Sequence, residues 1–117
     1  MKIYTLSTCD TSRRILKPIP KDGVEVKDIK KELITPDELD EMKGLAGSYE
    51  ALFSRRSRSY TSMGLKDKSL HENDYRELIL KDYTFLKRPV IIINDAIYIG
   101  NQKKNVESLY KKLGIDV

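Results

Sequence analysis

The chain has 117 residues, 39% hydrophobic and 34% charged, with 22 Lys and Arg against 18 Asp and Glu and a net charge of +4. That length suits one domain with a core of about two packed layers, and no apolar run approaches the roughly 18 residues of a membrane span. A single cysteine excludes an intramolecular disulfide, and Cys9 with the single histidine, His71, is too small a set of soft ligands for a structural zinc site.

Lys2 to Leu6 reads as a short strand. Thr11 to Leu16 opens a helix that Pro18 and Pro20 stop early. After the Lys21-Asp22-Gly23 turn, residues 24–29 alternate apolar and polar as a half-buried strand does. This β-α-β unit predicts parallel strands and a right-handed crossover. Thr35-Pro36-Asp37-Glu38 is a helix start, with a hydroxyl N-cap, proline at the first position and a carboxylate three residues on. Leu39, Met42 and Leu45 or Ala46 keep helical spacing, and Ser48 is placed to cap a second short helix carrying Leu52 and Phe53. Arg55 to Leu70 has no clear period and is expected to be loop. His71 to Tyr83 returns to helix, with Tyr75, Leu78, Ile79 and Tyr83 on one face and His71 in a capping position.

Arg88-Pro89-Val90-Ile91-Ile92-Ile93 is an apolar, β-branched run and predicts a buried strand. Asn94-Asp95 turns it into a second arm, Ala96 to Ile99, which Gly100-Asn101 breaks. Val106, Leu109, Tyr110 and Leu113 mark a last amphipathic helix with Gly114 as its stop. The order is β-α-β, a helical insertion over about 35–84, then β-β-α, within one domain spanning 1–117. That is the α/β thioredoxin-like (glutaredoxin-type) plan, a four-stranded mixed sheet with flanking helices.

Cys9 stands where the first strand gives way to a helix whose opening carries Arg13 and Arg14. N–H groups at a helix start and nearby guanidinium charges favour the thiolate, which is the form that attacks disulfides, peroxides and oxyanions. A lone cysteine is otherwise often a small core residue. Ser12 either hydrogen-bonds that thiolate or faces its own backbone, and Thr11 offers an N–H to a bound oxyanion. Arg55, Arg56 and Arg58 form a knot and Arg88 precedes a proline. These arginines either solubilise the surface or converge near Cys9 as an anion site. Arg88, Arg56 and Arg13 are the candidates for the second role; Arg14, Arg55 and Arg58 read as surface charges. The basic balance comes with no recognition-helix motif, so direct nucleic-acid binding is not expected. The first residues, Met1-Lys2-Ile3-Tyr4, lack the apolar segment of a secretion signal, and the expected compartment is a reducing cytoplasm.

Three segments resemble the ArsC/Spx family, which includes arsenate reductases. Cys9-Asp10-Thr11-Ser12-Arg13 is similar to its cysteine motif. Leu52-Phe53-Ser54-Arg55-Arg56-Ser57 is similar to the block from which one arginine projects. Lys87-Arg88-Pro89-Val90-Ile91-Ile92 with Ile99-Gly100-Asn101 is similar to its Arg-Pro strand and following turn. The resemblance implies a small thiol-dependent oxidoreductase in which Cys9 is the nucleophile and Thr11, Ser12, Arg13, Arg56 and Arg88 bind arsenate or a similar oxyanion. With no second cysteine in the chain, the adduct would be resolved by an external thiol, glutathione or glutaredoxin, and no bound cofactor or metal is implied.

Two alternatives accompany that implication. The position of a third arginine in arsenate reductases falls near Gly100 or Asn101 here. Asp10-Thr11 moreover resembles a branch regarded as glutathione-dependent thiol-disulfide reductases, acting on another, disulfide substrate. Spx-like transcription regulators, which bind the RNA polymerase α subunit, form the other alternative. Their Cys-x-x-Cys switch cannot form here, because Ser12 holds the second position.

Overall fold

Four short strands, β1 (Lys2–Thr5), β2 (Glu25–Asp28), β3 (Val90–Ile93) and β4 (Ala96–Ile99), build a mixed sheet in the order β2-β1-β3-β4. They come from a computed structural model that describes residues 1–116. β1 runs parallel to β2, with Ile3 opposite Val26 and Thr5 opposite Asp28, and antiparallel to β3, with Ile3 opposite Ile91. β3 and β4 form the expected hairpin, whose tight turn puts Asn94 at φ 53, a left-handed conformation asparagine tolerates. This is the thioredoxin-like α/β plan that the order of elements predicts.

The sheet belongs to one of two compact units, residues Met1–Glu32 together with the chain from Arg88 onward. Its helices are α1 (Asp10–Leu16) and α5 (Lys103–Leu113). Ile3 and Ile91 of the sheet pack with Ile15 and Leu16 of α1, Ile19 beyond it, and Leu109 of α5. Each such side chain contributes about 1.5–3 kcal/mol by leaving water. The Tyr110 hydroxyl donates to the Ile15 carbonyl at 2.7 Å, tying α5 to α1.

β2 departs from the half-buried strand expected over 24–29. Val26 is 51% exposed although its neighbour Ile3 is buried. β2 is an edge strand, and the seven-residue α1, about 10 Å long, stops ahead of Pro18 without covering it.

The second unit, Leu33–Lys87, contains the helical insertion. α2 (Pro36–Ala46) opens on the predicted capping box. Thr35 Oγ1 accepts from the Glu38 N–H at 3.1 Å, and Glu38 Oε1 accepts from the Thr35 N–H at 2.8 Å. The stretch expected to be loop holds α3 (Arg58–Ser62) and a 3-10 turn, Leu65–Asp67. A five-residue helix is too short to display a period. Ser57 caps it through the Ser59 N–H, and the Ser59 hydroxyl donates to Asp82 at 2.7 Å. The short helix expected to carry Leu52 and Phe53 is a 3-10 turn, Glu50–Leu52, that leaves Phe53 extended. α4 (Glu72–Lys81) begins at His71, whose N–H is taken by the Asp74 carboxylate at 2.8 Å. It ends two residues short of Tyr83, which starts another 3-10 turn. Phe53 is stacked on Phe85 at 5.1 Å and tilted on Tyr75 at 4.8 Å, and Leu39, Met42 and Ile79 of the same unit are buried. Among the described residues no helix is long and apolar enough to cross a membrane.

Candidate active site

Leu6, Ser7 and Thr8 turn the chain out of β1, and the Cys9 N–H closes that turn on the Leu6 carbonyl at 3.0 Å. Cys9 is then the N-cap of α1, in an extended conformation, with its carbonyl accepting the Arg13 N–H at 3.0 Å. The N–H groups of Asp10, Thr11 and Ser12 precede the first intrahelical bond and have no partner within the helix. The half-buried thiol makes no full-geometry cap bond. Even so, the Thr11 and Ser12 N–H groups are near enough to stabilise its anion.

Burial is the largest single influence on this thiol and opposes its ionisation. The Ser12 hydroxyl, the Ser12 N–H, the Arg88 guanidinium and the Thr11 N–H together outweigh it, so Cys9 ionises below the ordinary thiol range. Ser12 is wholly buried, and among the described residues its Oγ has no partner within ordinary hydrogen-bond geometry. Leaving a buried hydroxyl unpaired costs about 1–3 kcal/mol. Its remaining neighbour is the Cys9 sulfur, a better acceptor as thiolate than as thiol. The hydroxyl therefore becomes satisfied when the cysteine ionises.

Arg88 is half-buried and precedes β3 through a cis peptide bond to the buried Pro89. The Pro89 carbonyl accepts the Gly100 N–H at 2.9 Å, and Asn105 Nδ2 donates to the Gly100 carbonyl at 2.8 Å. Gly100 is buried at φ 84, a conformation that favours glycine, so no cationic side chain projects from this position.

Thr11, Ser12 and Arg88 are thus brought to Cys9. Arg13 is exposed and its guanidinium is engaged by the Asp10 carboxylate one turn back. Arg56 belongs to the second unit, where it is exposed; its backbone N–H donates to Ser54 Oγ at 3.3 Å, and its side chain has no partner among the described residues. Of the three arginines in the 55–58 knot, Arg55, which the sequence presents as a surface charge, is the anchored one. Its guanidinium is 2.8 Å from Glu50 and 3.0 Å from the Tyr75 hydroxyl, over the Phe53 and Tyr75 rings. Glu50 and Tyr75 are not at helical spacing from it, so no local pattern points to these contacts.

One carboxylate beside the turn also went unanticipated. The Ser7 hydroxyl donates to Asp28, as does the Lys30 N–H at 3.1 Å, and Ser7 chiefly holds that carboxyl below its usual range. Its placement depends on the parallel register of β1 and β2, which no local pattern encodes. Among the described residues, no group of three or more His, Cys, Asp or Glu is placed to hold a metal ion.

Comparison with known proteins agrees with this architecture. No curated protein matches the chain in sequence. An arsenate reductase from Vibrio cholerae superposes with a TM-score of 0.75 at 18% identity, over 95% of this chain and 97% of the other. A Staphylococcus aureus protein solved by NMR gives 0.72 at 26% identity, over 95% of each chain. An ArsC-related protein from Brucella melitensis gives 0.69 at 23%, over 94% and 93%. The sequence model of the ArsC family matches residues 4–109. The match takes in the Cys9 turn, the helical insertion and the Arg88-Pro89 strand alike, and the chain belongs to the ArsC family.

Proposed function

We propose that this protein is a thiol-dependent oxidoreductase that reacts through Cys9 and is resolved by a thiol from outside the chain. The carrying observation is the lowered thiol at the start of α1, beside a buried hydroxyl with no other partner and the charge of Arg88. A disulfide or oxyanion substrate docks on the Thr11 and Ser12 N–H groups and Arg88, with Arg13 as a further cation. With a disulfide, Cys9 Sγ forms a new S–S bond, the substrate's S–S bond breaks, and the leaving sulfur departs as a thiolate that takes a proton from water. A second thiolate, from glutathione or glutaredoxin, then attacks the mixed disulfide and releases Cys9. With arsenate, Sγ displaces an arsenic-bound oxygen as water. Two electrons from Cys9 and the external thiol reduce arsenic(V) to arsenic(III) as the two sulfurs join.

The lack of an arginine at Gly100 or Asn101 favours the disulfide over arsenate, because the family resemblance puts the third cation for the oxyanion near those positions. Both branches are tested by NADPH oxidation coupled through glutathione, glutaredoxin and glutathione reductase, with arsenate or a glutathione mixed disulfide supplied, and Cys9→Ser as control. Turnover with either substrate that vanishes in the variant supports the reading. Its absence with both, together with binding of the RNA polymerase α subunit that survives Cys9→Ser, would replace it by a regulator.

A further inference from the structure

An open groove of about 830 Å³ runs along α1, wholly within the unit that carries Cys9. Ser7 and Asp10, the chain neighbours flanking Thr8 and Cys9, line one part of it while Cys9 itself does not, and Lys21 lies beyond the helix end. Buried Leu16 and Ile19 supply an apolar floor with Thr5, whose buried hydroxyl has no hydrogen-bond partner among the described residues. Exposed Arg14 and Lys17 stand on its rim, and neither side chain has a hydrogen-bond or ion-pair partner among the described residues. The lining's one carboxylate, Asp10, is engaged by Arg13. The surrounding unit is itself basic, with thirteen Lys and Arg against eight Asp and Glu.

These features narrow the occupant. The volume fits a molecule of a few residues, whereas an inorganic oxyanion has no apolar body for Leu16 and Ile19. No aromatic side chain lines the groove, so bases would have nothing to stack on. We propose that the groove holds a short acidic peptide segment with an apolar centre, flanking the sulfur that Cys9 attacks. The substrate class is then a peptide or protein thiol adduct of that composition, its carboxylates against Arg14 and Lys17 and its apolar side chain against Leu16 and Ile19. This assignment rests on the reading of Cys9 as the reacting thiol.

The test titrates isotope-labelled full-length protein with an acetylated tetrapeptide amide that has acidic ends and a central leucine and serine, serine replacing the reacting cysteine. A peptide with lysine ends and inorganic pyrophosphate serve as competitors of other chemistry. The acidic peptide is expected to shift the amides of Thr5, Arg14, Lys17 and Ile19 and to bind Cys9→Ala equally well. Combined Arg14→Glu and Lys17→Glu should weaken it about tenfold, and both positions are exposed enough to leave the fold intact. Equal binding of the lysine peptide, shifts elsewhere, indifference to charge reversal, or the same shifts with pyrophosphate would each overturn the proposal. The rate of Cys9 alkylation separates the two layers. A reactive Cys9 without peptide binding removes the groove and keeps the thiol chemistry. Peptide binding with an inert Cys9 removes the thiol chemistry and, with it, the assignment of the groove to a substrate.

Discussion

Replacing Ser12 by alanine separates activation of the thiol from stability of the fold. The hydroxyl is fully buried, makes no other hydrogen bond among the described residues, and favours the Cys9 thiolate. A hydrogen bond to a charged group is worth about 1.5–3 kcal/mol, which is about ten- to a hundredfold in the thiolate–thiol equilibrium. Alkylation of Ser12→Ala by iodoacetamide, followed against pH, should therefore show a higher midpoint and about tenfold slower reaction at neutral pH. The rate at full ionisation should rise by no more than a few-fold, because access is the same and a thiolate of higher pKa is the stronger nucleophile. Stability should move the other way or hold still at acidic pH, since the substitution removes a buried group whose isolation costs about 1–3 kcal/mol. An unmoved midpoint would refute the role of the hydroxyl. A stability loss of more than about 2 kcal/mol would show that Ser12 is a structural residue instead.

Arg88→Gln should raise the same midpoint by less than Ser12→Ala does, because the Arg88 charge ranks behind both Ser12 contributions; an equal or larger rise in the alkylation profile would contradict that order. Cys9 also couples pH to stability: its proton is released at lower pH folded than unfolded, so the native state gains relative to the unfolded one as pH rises. Urea unfolding of wild type against Cys9→Ser should show an advantage growing from below the folded value and levelling above the ordinary thiol value of about 8.5, and a flat difference would rule the shift out. Phe53→Ala should cost about 3–5 kcal/mol in denaturant unfolding, because its buried ring meets Phe85, Tyr75 and Tyr60; a loss below about 1 kcal/mol would mean that unit is held by other contacts.

What the sequence made legible follows the range of the interactions involved. Thr35 to Glu38 spelled out a capping box because all four groups lie within one turn, and the structure holds both of its bonds. The strands of the hairpin, the early stop of α1 and the place of Cys9 at its start were readable for the same reason. Val26 departs from its expected burial because alternation says which face a residue is on, but not whether anything covers that face. The anchoring of Arg55 likewise depends on Tyr75, twenty residues away and on another element. Around Cys9, the Thr11 and Ser12 contributions are local, whereas the effect of Arg88 exists only because β3 lies beside β1.

The two prolines after α1 connect these observations. Pro18 lacks the N–H that would continue the helix, so the carbonyls of its last turn need other donors. Lys21 supplies one: its ammonium group reaches back to the carbonyls of Leu16 and Ile19, although burial pulls its pKa down. A helix running on past Leu16 would need neither that contact nor the turn that sets buried Ile19 beneath the groove. Truncation thus leaves the activating first turn intact, since Cys9, Thr11 and Ser12 all precede it, while opening apolar and cationic surface directly behind. In the proposed reading, reactivity rests on the first turn of α1 and selectivity on its last turn and C-cap. Exchanging Arg14 and Lys17 should alter which substrates reach Cys9 without altering how readily it ionises.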